Sequence, residues 1–363
     1  MNNLKKVHPF EIQTTDTNEG IITILQVPTR ISHKDNISFE NQTMIANYID
    51  NDRSYNTVYS LINTNGEIVD NFMEEDGILP TLFLNQEGEA YVSVVPYHPD
   101  KELEISLPVF NREKIEKPKG NRPFTGEFIG IVNHFSVFFD IDIWSDTKPD
   151  KMLAIEFKNN EIKKKSNIKI PLPKNNNIYI YDNQIHLLAK ENNVLLHRQI
   201  EIKGNTIESR TLPLDYCLQA VSLSFNENSY LLVEAGEGQF EMIIITPENI
   251  IERSLLYDIG DPIFNTWQPV RINEDIFVTR FNTEFGNGWL TTKKDKIIEL
   301  FYSKDQKGYK NLLTGKVIGM PDENLVISGL NKTKNNAYSV IFYPMTERSV
   351  KNKKIMILNR EIT

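Results

Sequence analysis

Apolar and polar residues alternate along most of the chain in short runs broken by Asn, Asp and Gly, with little helical patterning. This is the period-two pattern of half-buried β-strands. One phrase keeps returning. In residues 200–208, Ile-Glu-Ile-Lys-Gly-Asn-Thr-Ile-Glu, an alternating strand runs into a polar, turn-forming cluster and leaves through an isoleucine that starts a second strand. That pattern predicts a β-hairpin. Further copies occupy residues 61–68, 109–115, 156–162, 244–250 and 290–297. The exit residues Ile68, Ile115, Ile162, Ile207, Ile250 and Ile297 are spaced by 47, 47, 45, 43 and 47.

A period this steady resembles the β-propeller architecture over essentially the whole chain, with one hairpin per blade. The expected fold is all-β: a seven-bladed propeller of four-stranded antiparallel blades, forming a single domain over residues 1–363. The blades are expected near residues 10–74, 78–120, 126–172, 177–213, 218–258, 267–303 and 314–360. Residues 29–56 read as an insertion in the first blade, long enough to be functional, with a short helix within 39–49. Two ways of joining the ends stay open: packing between complete blades, or an amino-terminal strand pairing into the last blade. No Gly-His plus Trp-Asp pair, double-glycine Kelch signature or sialidase box is present, so no family is assigned.

Charge narrows the partners. The net charge is -9 with a pI near 5.4, so a polyanion meets repulsion rather than favourable counterion release, and nucleic acid is excluded as a partner. The lysines of residues 158–169 are expected on an outer strand, where they block edge-to-edge pairing. Cys217 is the only cysteine, which rules out an intrachain disulfide and zinc sites built on several thiolates. No secretory signal or membrane span is visible, which points to a cytoplasmic monomer without membrane contact.

In a propeller, the loops between second and third strands and between blades share one face, where a site is expected. These loops carry the candidate binding residues Asp76, Arg122, Asp215, Tyr216, Asp261, Phe264 and Trp267. Asp140 and Asp142 lie two apart on one strand and are the weak candidates for a metal site, although a tight-loop glycine and a terminal bidentate glutamate are missing. His134, His186 and His197 occupy different blade positions, which does not support a three-histidine centre. Trp289 alternates with its strand neighbours and is expected between blades. No nucleophile elbow or phosphate-binding glycine loop is present, and Cys217 reads as core.

The resulting expectation is a scaffold without a cofactor that binds a protein or peptide through the loop face and residues 29–56. The alternatives are a calcium-dependent hydrolase or lyase at the channel mouth, using Asp76, Asp215, Asp261 and Asn265, or a carbohydrate-binding propeller.

Overall fold

The computed structural model describes residues 5–6, 11–26, 30–39, 42–50, 55–63, 65–74, 77–84, 90–96, 109–111, 114–116, 126–140, 151–158, 161–169, 176–181, 183–191, 194–202, 206–212, 219–225, 228–234, 238–245, 251–267, 269–304, 307–320, 325–334, 336–344 and 354–362. Every regular element among them is a β-strand, and the strands form seven antiparallel sheets. The second to fifth sheets are four-stranded meanders. Gly77–Leu84, Ala90–Pro96, Val109–Asn111 and Lys114–Glu116 form the second; Gly126–Val132, Phe135–Asp140, Lys151–Lys158 and Glu161–Lys169 form the third. Asn176–Tyr181, Gln184–Glu191, Val194–Ile200 and Thr206–Leu212 form the fourth, and Gln219–Phe225, Asn228–Glu234, Gln239–Ile245 and Ile251–Asp258 the fifth. As the sequence suggests, the lysine-rich strand is the third sheet's outer edge.

The first, sixth and seventh sheets depart from the expected four strands. Residues 29–56 supply no helix among the described residues. They hold the regular strands Arg30–Phe39 and Gln42–Asp50, which continue into Tyr55–Asn63 and Ile68–Glu74 to make the first sheet. Met44, Ile45 and Ala46 are fully buried, so this stretch is core. Lys5–Lys6 adds a fifth strand outside Ile68–Glu74.

The amino-terminal hairpin, expected in the first sheet, lies in the seventh. Gly20–Gln26 pairs with Lys354–Glu361, followed inward by Ala337–Pro344 and Leu325–Lys334, while Glu11–Thr17 forms the outer edge. This is the second of the two ways of joining the ends. Val317–Gly319, expected to open the last blade, instead pairs with Gly308–Asn311 on the outside of the sixth sheet, whose body is Ile276–Thr283, Asn287–Lys293 and Lys296–Ser303, with Ile263–Thr266 and Val270–Arg271 inside. Alternation identified these strands, but alternation cannot tell which edge a strand joins.

Apolar clusters lie between neighbouring sheets. Leu25, Ile341, Ile355 and Ile357 of the seventh sheet pack with Ile45, Val58 and Ile62 of the first. The same two faces carry an unusual polar row. Six of the ten buried, unpartnered side-chain atoms among the described residues lie there: both amide atoms of Asn47, Ser60 Oγ, Asn71 Oδ1, Ser339 Oγ and Asn359 Nδ2. The row is tied where Asn331 Nδ2 donates to Asn36 Oδ1 at 2.5 Å. Buried polar atoms of this kind need enclosed water or cost stability.

A second tie crosses the seam where Thr23 Oγ1 donates to the Gly66 carbonyl at 2.8 Å. Gly66 has φ +78, and a Cβ there would lie 1.9 Å from Thr23 Oγ1. Gly66→Ala is therefore expected to destabilise the protein by about 2–3 kcal/mol, through left-handed strain and displacement of Thr23. Urea denaturation measures this, and an unchanged midpoint would contradict such a tight junction.

Candidate functional site

Of the seven residues expected at a binding site, Asp76, Arg122, Asp215 and Tyr216 lie outside the described residues, as does Asp142. Asp140 ends the strand Phe135–Asp140. The other three, Asp261, Phe264 and Trp267, share the segment entering the sixth sheet and have different surroundings.

Asp261 is 2% exposed, and its Oδ2 accepts from Thr283 Oγ1 at 2.8 Å and from the Tyr302 hydroxyl. Nearby, Thr283 Oγ1 accepts from the Gly286 amide at 2.8 Å, and the Glu284 amide donates to the Pro262 carbonyl at 2.9 Å. Asp261 thus fastens the connection between the fifth and sixth sheets. Trp267 is half-buried, with the Arg280 guanidinium 4.2 Å from its ring centroid. The same guanidinium donates to the carbonyls of Ile327 and Ser328 in the seventh sheet. Phe264, by contrast, is 61% exposed. Trp289 is fully buried and stacks on Phe301 at 4.5 Å, as its alternation suggests.

A cleft of about 700 Å³ lies elsewhere, over the end of the seventh sheet where the two ends of the chain meet. Asn65, in the turn of one recurrent hairpin, lines it. The cleft therefore opens on the side of the repeating hairpin turns, which the sequence pattern assigns to the fold rather than to function.

Its floor is a chain of hydrogen bonds centred on Arg360. Thr17 and Gly20 close a two-residue turn in which Thr17 Oγ1 donates to the Gly20 carbonyl at 2.6 Å. Gly20 adopts φ +130, and a Cβ there would lie 2.2 Å from the Asn359 carbonyl oxygen, so only glycine brings the turn this close. Glu19 can then meet the final strand. Arg360 Nη1 donates to Glu19 Oε2 at 2.9 Å, and Nη2 donates to Glu299 Oε1 in the sixth sheet. The guanidinium lies 4.7 Å from the Phe301 ring centroid.

Glu299 Oε2 also accepts from Tyr338 OH at 2.8 Å and Thr291 Oγ1 at 3.0 Å, and Trp289 Nε1 donates to Tyr338 OH at 3.0 Å. Asn311 Oδ1 caps the adjoining turn by accepting from the Leu313 amide at 3.0 Å. That turn presents Lys316, whose Nζ lies 3.1 Å from Glu19 Oε1. Two carboxylates and two cations are thereby joined. With the exposed Asp16 and Glu361 also on the lining, the cleft has four acidic side chains against two basic ones.

Burial acts to raise the Glu19 pKa, but hydrogen bonds and charges from Arg360 and Lys316 outweigh it and hold the carboxyl below its ordinary 4.5. Burial, helped by the charge of Glu299, pushes Tyr338 up. Burial and the hydrogen bond to Asp261 raise Tyr302 from 10.0 to about 12.

No protein-family model matches this chain, and no curated protein does. Solved structures do. A prolyl endopeptidase aligns with TM-score 0.52 and 11% identity, covering 94% of this chain and 54% of its own. The chain thus spans about half that enzyme's length. The β-propeller domain of the Trilobed protease from Pyrococcus furiosus, described as having an open velcro topology, aligns with TM-score 0.50 and 10% identity, covering 92% and 98%. Among the described residues, no helix is long and apolar enough to cross a membrane, and no group of three His, Cys, Asp or Glu could hold a metal ion.

Two pH effects are expected. A depressed Glu19 pKa contributes stability that is present above pH 4.5 and is lost as pH falls through the folded value. Glu19→Gln should cost about 1–2 kcal/mol at neutral pH and flatten that part of the acid limb. Urea unfolding across acid pH measures both, and an unchanged acid limb would contradict the ion pairs. At the other end, the raised Tyr302 pKa contributes stability that is full below pH 10 and is lost as pH rises toward about 12. Tyr302→Phe should melt with a shallower alkaline decline than the wild type; parallel curves would contradict the Asp261 contact. At the level of fold, the likeness to the endopeptidase and to the Pyrococcus furiosus domain makes this chain a β-propeller.

Proposed function

We propose that the chain is a single-domain, seven-bladed β-propeller that serves as a scaffold for a protein or peptide partner, and that it holds basic groups of that partner in the cleft beside Arg360. Support for the ring comes from the innermost strands, each of which lies beside that of the next sheet, with Leu325–Lys334 returning to Arg30–Phe39. The single observation behind the binding role is the cleft itself. It is of a size that suits a ligand, its lining carries four carboxylates against two cations, and Asp16 stands exposed at its rim.

Residues 29–56 do not serve as the contact element in this proposal, since their strands belong to the first sheet. The calcium-dependent alternative draws no support from Asp261, whose buried carboxylate is engaged by Thr283 and Tyr302.

Isothermal titration of a short peptide alternating Lys and Val, against its Glu and Val counterpart, tests this role. The wild type should bind the lysine peptide and not the glutamate one. Asp16→Lys should weaken that binding several-fold, corresponding to roughly 1 kcal/mol for one rim charge. Equal binding of both peptides, or of peptide to both proteins, would overturn it.

A further inference from the structure

The outer edges of the seven sheets are not alike. An outer β-strand presents unpaired N–H and C=O groups, and proteins protect such edges by keeping them short, placing lysines on them or interrupting them. The first sheet ends in the two-residue Lys5–Lys6, the second in Lys114–Glu116 and the sixth in Val317–Gly319. The third ends in a strand with Lys163, Lys164, Lys165 and Lys169; the fourth and fifth edges include Arg210 and Arg253.

The seventh ends in Glu11–Thr17, whose sequence Glu-Ile-Gln-Thr-Thr-Asp-Thr has no basic residue, proline or glycine. All seven residues are exposed, and their register with Gly20–Gln26 runs from Glu11↔Gln26 to Thr17↔Gly20 without a bulge. Four of the seven are β-branched, which favours an extended strand. No described strand pairs on the outer side.

The direction of the free groups follows from the turn. A two-residue hairpin makes its flanking pair, Thr17 and Gly20, mutually hydrogen-bonded, and bonding alternates from there. Glu11, Gln13, Thr15 and Thr17 therefore face Gly20–Gln26. The N–H and C=O groups of Ile12, Thr14 and Asp16 point outward. Both charges on the strand, Glu11 and Asp16, are negative, and Asp16 also lines the cleft.

We propose that Glu11–Thr17 is a docking edge, to which an extended, lysine- or arginine-bearing segment of a partner protein adds as a sixth strand of the seventh sheet. Main-chain bonds to Ile12, Thr14 and Asp16 hold that segment, and its basic side chains meet Glu11, Asp16 and the cleft rim. This rests on the scaffold reading above and specifies how the partner is held.

Thr14→Pro separates strand addition from charge attraction. It deletes one outward N–H and leaves every carboxylate in place, and proline is tolerated where the N–H faces solvent on an edge strand. With the lysine–valine peptide as probe, Thr14→Pro should retain the wild-type circular dichroism spectrum and lose binding by about tenfold, equivalent to 1.4 kcal/mol. Hydrogen exchange on the wild type supplies a readout that needs no variant: the peptide should slow the amides of Ile12, Thr14 and Asp16.

Wild-type-like binding by Thr14→Pro, or outward amides unaffected by bound peptide, would overturn strand addition while leaving the acidic cleft standing. Failure of the wild type to bind the peptide would overturn both proposals. A stable dimer in which these amides are already protected would show the edge to be occupied by a second copy, and would overturn a foreign partner.

Discussion

The pairing of Gly20–Gln26 with Lys354–Glu361 is the constraint on which the rest depends. It joins segments more than three hundred residues apart, and the main-chain ladder must offset the entropy of closing so long a loop. Long-range pairing of this kind is also slow to form. Arg360 reinforces it at one end, binding Glu19 beside its own strand and Glu299 in the neighbouring sheet. The cleft exists because these three elements converge, so the site and the joining of the chain ends are one feature.

The seam between the seventh and first sheets combines two kinds of contact. Leu25, Ile45, Ile341 and Ile357 supply burial, which is non-directional. The Asn36–Asn331 and Thr23–Gly66 hydrogen bonds supply direction and fix how the two faces meet. The buried Ser60, Asn71 and Ser339 in the same interface make this junction more polar than the apolar cluster of Met152, Ile185 and Leu187 between the third and fourth sheets.

Much of the fold is legible in the sequence. The recurrent hairpin locates the outer strands of the second to fifth sheets because turn chemistry and alternation are local signals. The first and last sheets are not legible in the same way. Glu11–Thr17 and Gly20–Gln26 form a hairpin where the first blade is expected to begin, but their assignment depends on the edge of Lys354–Glu361, about which a local pattern is silent. Residues 29–56 look irregular because their polar positions, Asn36, Asn47 and Thr43, fall within strands, where alternation predicts apolar residues.

The site is still less legible. In the sequence Asp261 is an acidic loop residue, yet burial makes it a fastening. Glu19 and Arg360 lie 341 residues apart, in a turn and a strand that carry no motif, and only the fold brings them together.

Hydrogen exchange of the two terminal strands, followed amide by amide under native conditions, measures whether their pairing holds. If both chain ends build one sheet, the paired amides of Gly20–Gln26 and Lys354–Glu361 should be protected together and lose protection together as denaturant is raised. Rapid exchange throughout Gly20–Gln26, with Lys354–Glu361 still protected, would contradict it.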